Sequence, residues 1–153
     1  MTRNVLTRLA GAVALALALA ATPAPGFDTG GDDSDAAASV PTLADARADI
    51  RSKDWKAAID KLMAIVVADP GSADAYNLLG YSFRNAGNNS RAMQAYNKAL
   101  GLNPNHTGAL EYQGVLFVML GDLDRANANL AKLETICGTS CEEYEDLAEA
   151  IKG

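Results

Sequence analysis

Histidine and tryptophan each occur once in the 153 residues, cysteine occurs twice, and aromatic side chains make up only 6%. With His106 as the single imidazole, a Ser-His-Asp arrangement could draw on that residue alone, and two cysteines do not complete a zinc ligand set. No serine stands in a nucleophile elbow, and the Gly-x-x-x-x-Gly-Lys-[Ser/Thr] phosphate cradle is missing. Acidic pairs fall on what read as exposed helix faces, whereas a glycosidase dyad needs them across a cleft. The chain is therefore expected not to be an enzyme, with no cofactor and no bound metal. His106 reads as a solvated loop residue. The scarcity of aromatics also places the 49% hydrophobic content on small side chains, alanine above all, which favours close-packed helices over a β-sandwich.

The first residues differ from the rest. Arg3 and Arg8 precede an unbroken run of small and apolar residues from Leu9 to Ala21, and Ala18-Leu19-Ala20 offers a small-x-small cleavage pattern. At 1.5 Å per residue that run covers about 20 Å, short of the roughly 30 Å hydrocarbon core, so a cleaved secretory signal over residues 1–20 is expected rather than an anchor. The expected location is periplasmic or secreted, and the style of the signal points to a bacterial cell envelope. Removing residues 1–20 takes away two arginines and no acid, leaving 11 Lys+Arg against 19 Asp+Glu, a net charge of −8 on 133 residues. Nucleic acid is a poor partner for such a surface. No later segment approaches the 18 apolar residues of a membrane span, so the mature chain is not expected to cross a membrane. Residues 21–38 are rich in Pro, Gly, Asp, Ser and Ala and read as a disordered linker.

From residue 39 onward the chain repeats itself at an offset of 34. Gly80 falls on Gly114, Phe83 on Phe117, Gly87 on Gly121 and Pro70 on Pro104, while Ala58, Ala92 and Ala126 make one column. The period describes a helix-turn-helix unit. Gly87 and Gly121 suit a left-handed residue that ends the first helix, and Asp54, Asn88 and Asp122 suit caps of the second. Gly80 and Gly114 lie within a helix, where glycine costs roughly 1 kcal/mol against alanine, and close approach to Ala92 and Ala126 is the expected compensation. Pro70 and Pro104 redirect the chain into the next unit.

The run Tyr76-Asn77-Leu78-Leu79-Gly80-Tyr81-Ser82-Phe83, continued by Gly87, Ala92, Tyr96, Ala99 and Pro104, resembles the tetratricopeptide repeat. The resemblance implies an all-α, right-handed α-solenoid over residues 39–153, with repeats at about 39–72, 73–106 and 107–138 and a capping helix at 141–152. Read on its own, the last helix begins with Ser140-Cys141-Glu142-Glu143, a capping box, and carries an apolar stripe of Tyr144, Leu147, Ala148 and Ile151.

Cys137 and Cys141 flank the turn before that helix. In an oxidising compartment they are expected to pair and clamp the cap to the third repeat. The competing reading is a thiol redox or copper-handling protein using the same two sulfurs.

The family resemblance further implies a concave groove lined by the first helix of each repeat, and hence protein–protein interaction through a bound peptide segment. The exposed groove positions would be Arg47 from the first unit, Asp74, Asn77, Tyr81, Arg84 and Asn85 from the second, and Glu111, Tyr112, Val115 and Met119 from the third. Leu43 and Glu111 stand where the family's chaperone-type members need basic or neutral polar groups to clamp a peptide carboxylate. The mixture of tyrosines, Val115 and Met119 suits an extended or helical peptide instead. Self-association through an open repeat face is the other interaction open to such an array. Trp55, opening a second helix, reads first as a packing residue, with a binding hot spot as the alternative.

Overall fold

The computed structural model describes residues 39–153, and the expected signal and linker lie outside them. Among the described residues seven helices follow one another: α1 (Leu43–Arg51), α2 (Trp55–Ala68), α3 (Ala73–Asn85), α4 (Asn89–Leu102), α5 (Thr107–Met119), α6 (Leu123–Cys137) and α7 (Glu142–Lys152). No strand occurs among the described residues, and the fold is an all-α helical solenoid.

Each helix start is set locally. Thr42 and Asp45 form a capping box on α1, the hydroxyl accepting the Asp45 N–H at 3.2 Å and the carboxylate accepting the Thr42 N–H at 2.8 Å. Asp54, Asn88 and Asp122 accept the N–H three residues on at 3.0, 3.1 and 3.1 Å, as their spacing predicts. Ser72 does the same for α3. The α7 start differs from its expected capping box: the cap position is Cys141, and no side chain caps it. Glu142, Glu143 and Glu145 in its first turn oppose the helix dipole instead. The turns within the pairs are also set locally. Gly87 and Gly121 take φ of 80° and 76°, and Lys53, at the matching place in the first pair, takes φ of 60°.

Consecutive helices pack as pairs, and α1, α3, α5 and α7 also contact one another in succession, forming one layer. Alanines make the close crossings possible: Ala46, Ala58, Ala75, Ala92, Ala109 and Ala126 are wholly buried. Larger side chains fill the gaps, with Leu62, Leu79, Phe83, Tyr96 and Leu116 in the main cluster and Leu110, Leu133 and Leu147 in a second one beneath α7.

Gly80 and Gly114 have larger neighbours than the sequence expectation gives them. A Cβ on Gly80 would lie 2.5 Å from the Tyr96 ring, and one on Gly114 would lie 2.5 Å from the Leu147 side chain. The nearest atoms are thus those of Tyr96 and Leu147, and the missing Cβ makes room for a large side chain. A buried amide chain ties α4, α5 and α6 together. Asn129 Nδ2 donates to Leu110 O at 3.0 Å and to Gln113 Oε1 at 3.1 Å, and Gln113 Nε2 donates to Asn97 Oδ1 at 2.8 Å. These three bonds fix how α5 sits between its neighbours.

Candidate functional site

The layer of first helices carries two adjoining features. The first is an aromatic and cationic stack. Tyr81 of α3 and Tyr112 of α5 face each other with ring centroids 4.8 Å apart, and Trp55 meets Tyr81 edge-on at 6.1 Å. The Arg84 guanidinium lies 5.3 Å from the Tyr81 ring centroid and 5.6 Å from that of Tyr112. Its Nη1 is buried with no hydrogen-bond partner, as is the hydroxyl of Tyr96. Burial pushes the Tyr112 phenol up to about 12 and the Tyr96 phenol higher still. Trp55, which the sequence marks first for packing and second as a binding hot spot, joins this stack because α2 packs against α3.

The second feature is a polar cleft of about 310 Å³ between α3, α5 and α7, with Arg47 contributed by α1. Asp74, Asn77, Glu111 and Tyr112 line it, so five of the residues singled out from the sequence meet there. His106, Glu142, Glu143 and Asp146 line it as well, and sequence reasoning did not assign these four to the groove.

His106 is not the solvated loop residue that its position in the sequence suggests. It is the N-cap of α5, where Nδ1 accepts the Ala109 N–H at 3.3 Å and Nε2 lies 3.0 Å from Asp74 Oδ1. With Nδ1 accepting, the proton belongs on Nε2 and is donated to Asp74. Its side chain is only 14% exposed. A histidine cap is uncommon, and a contact 32 residues back leaves no local signal.

Asn77 and Glu111, expected to be exposed, are 7% and 8% exposed. Asn77 Oδ1 has no hydrogen-bond partner. Its amide nitrogen lies beside Gly108, where a Cβ would approach to 3.2 Å. Glu111 is buried because α7 lies along α5, and Thr107 ties the two helices by donating its hydroxyl to Glu143 at 2.7 Å. Burial is the main cause that pushes the Glu111 carboxyl up to about 8. The acids Asp146, Glu143 and Glu142 add to the shift, and Arg84 opposes it.

The other sequence candidates lie apart from the cleft. Val115 is half-buried against the cluster around Leu147. Asn85 spends its amide on Tyr81 O at 2.8 Å, one turn back. Met119 is 58% exposed at the last position of α5. At the start of α7, next to Glu142 and Glu143, the sulfurs of Cys137 and Cys141 lie at disulfide-bonding distance with Cα atoms 5.9 Å apart. In that form both sulfurs are bonded to each other, leaving neither as a thiolate for redox attack or copper. Among the described residues no helix is long and apolar enough to cross a membrane.

The profile of the tetratricopeptide repeat matches residues 73–106, which contain α3 and α4. Solved structures share the fold. The tetratricopeptide domain of OM64 from Arabidopsis is 15% identical, with a TM-score of 0.65 over 71% of this chain and 89% of that one. MamA from Desulfovibrio magneticus, residues 41 to the end, is 26% identical with a TM-score of 0.57, covering 60% of this chain and 51% of that one. The type III secretion chaperone SycD of Yersinia enterocolitica, solved in complex with a peptide of the translocator YopD, is 16% identical. Its TM-score is 0.61 over 70% of this chain and 81% of that one. The comparison with curated proteins found no match.

Proposed function

We propose that the chain is an exported, periplasmic tetratricopeptide-repeat protein, an interaction module that holds a peptide segment of a partner protein against its first-helix layer. One observation carries this reading: Tyr81, Tyr112 and Arg84 form a stack on that layer in which the Arg84 Nη1 is buried without a partner. Aromatic rings with a guanidinium beside them are the side chains that concentrate binding energy at protein interfaces. A buried donor with no acceptor is costly, and a carbonyl of a bound peptide would supply the acceptor. The complex of SycD with its peptide shows this kind of fold holding a peptide in another protein.

The export part of the proposal is supported by Arg3, Arg8 and the apolar run Leu9 to Ala21. On this reading the molecule works by binding, not by catalysis. The experiment is selection of degenerate dodecamer peptides on the immobilised protein. The wild type should enrich a common motif, and Tyr81→Ala with Tyr112→Ala should lower its affinity by about tenfold or more at unchanged helicity. An unchanged affinity would remove this face from the reading.

A further inference from the structure

The cleft between α3, α5 and α7 has a charge balance that the stack does not explain. Five carboxylates line it, those of Asp74, Glu111, Glu142, Glu143 and Asp146, and Arg47 is its only arginine or lysine. Two of the acids are engaged, Asp74 with His106 and Glu143 with Thr107. Glu111 is buried among the others, and beside it the Asn77 Oδ1 is a buried acceptor with no donor. A cavity that gathers acceptors of this kind and leaves one unpaired is built for a donor carrying positive charge.

We propose that this cleft seats a basic side chain, lysine or arginine, of the bound peptide. The inference rests on the peptide-binding reading above and names the residue that the peptide must contribute. The cationic head would donate to Asn77 Oδ1 and to the Glu111 carboxylate, with Asp146 and Glu142 providing the remaining field. Its aliphatic stem would run past Leu78 and Tyr112, which line the same cleft.

Two other occupants fit less well. A hard metal ion needs several oxygens converging on one point, but among the described residues no three carboxylates of the cleft bring their oxygens within 4.8 Å of one another. A peptide carboxylate would enter a field of five acids. The raised Glu111 carboxyl is consistent with a site waiting for a cation, since a positive group at that position would bring its pKa down and release its proton.

The test uses the mature protein and four dodecamer pools whose central residue is lysine, arginine, norleucine or glutamate. The other positions are drawn from a set without lysine, arginine or cysteine. The lysine and arginine pools should be retained about tenfold better than the norleucine pool, and the glutamate pool least. Glu111→Gln, which keeps shape but cannot ionise, and Asp146→Asn, at an exposed position, should each shrink the ratio of lysine-pool to norleucine-pool retention. Equal retention of the lysine and norleucine pools by the wild type would overturn the inference and leave the peptide-binding reading standing. Retention of none of the pools would overturn both.

Discussion

The ring of Tyr96 fills the space that a side chain on Gly80 would occupy, with ring carbons 2.5 Å from where its Cβ would stand. Both residues are buried, and Tyr96 is wholly so. The glycine that weakens α3 as an isolated helix thus lets α4 bring a large aromatic up to it.

Gly80→Ala should therefore destabilise the fold by about 1–3 kcal/mol through overpacking, although alanine is the better helix former by about 1 kcal/mol. Gly101→Ala is the control, because beyond its chain neighbours and the backbone of its own helix no atom lies within 4 Å of its would-be Cβ in α4. Urea unfolding should show a lower midpoint for the first variant and a slightly higher one for the second. Equal shifts in the two would argue against the Gly80–Tyr96 contact.

Lys53 occupies with φ of 60° the place that Gly87 and Gly121 fill in the later pairs. A side chain in that region costs roughly 1–2 kcal/mol, so Lys53→Gly should raise stability by about 1 kcal/mol, whereas Gly87→Ala should lower it. Thermal melts of the two variants in one buffer check both signs.

The turn glycines and the aspartate and asparagine caps were legible in the sequence because their signals are local and recur every 34 residues. Phe83 and Phe117 likewise occupy one column, and arginines one turn into the next helix, Arg91 and Arg125, lie over them at 5.4 and 4.3 Å. What was not legible depends on residues distant in the chain. Leu147 fills the gap at Gly114 from α7, and α7 then buries Glu111 and Val115, which a bare repeat would leave open. His106 was missed because imidazole caps are uncommon and its partner Asp74 belongs to the preceding repeat. Of the groove, the sequence showed which helix face to inspect but not that its residues separate into an aromatic stack and an acidic cleft.

Glu111 makes stability depend on pH. Its folded pKa, about 8, is above the ordinary carboxyl value of 4.5, so the native state binds the extra proton between those values. The stability it contributes is present below about pH 4.5 and is lost as pH rises through about 8, with an upper bound of about 5 kcal/mol across the window. Glu111→Gln should flatten that fall. Unfolding free energies of both proteins at pH 5, 7 and 9 measure it, and parallel profiles would count against the buried acid.

Cys137 and Cys141 close a loop of only five residues, for which the chain-entropy relation gives about 2 kcal/mol. Thiol titration of the protein purified without reductant should find no free thiol, native or denatured. The Cys137→Ser, Cys141→Ser double variant should lose about 2 kcal/mol. Two free thiols in both states would remove the clamp between α6 and α7.

The most direct measurement of the account is an NMR titration of the isotopically labelled mature protein with the dodecamer it selects. Shift changes should concentrate on Asn77, Tyr81, Arg84, Glu111 and Tyr112, along the first-helix layer, and should be lost with Tyr81→Ala and Tyr112→Ala. Changes confined to α2, α4 and α6, or to the exposed end of α5 at Met119, would contradict it.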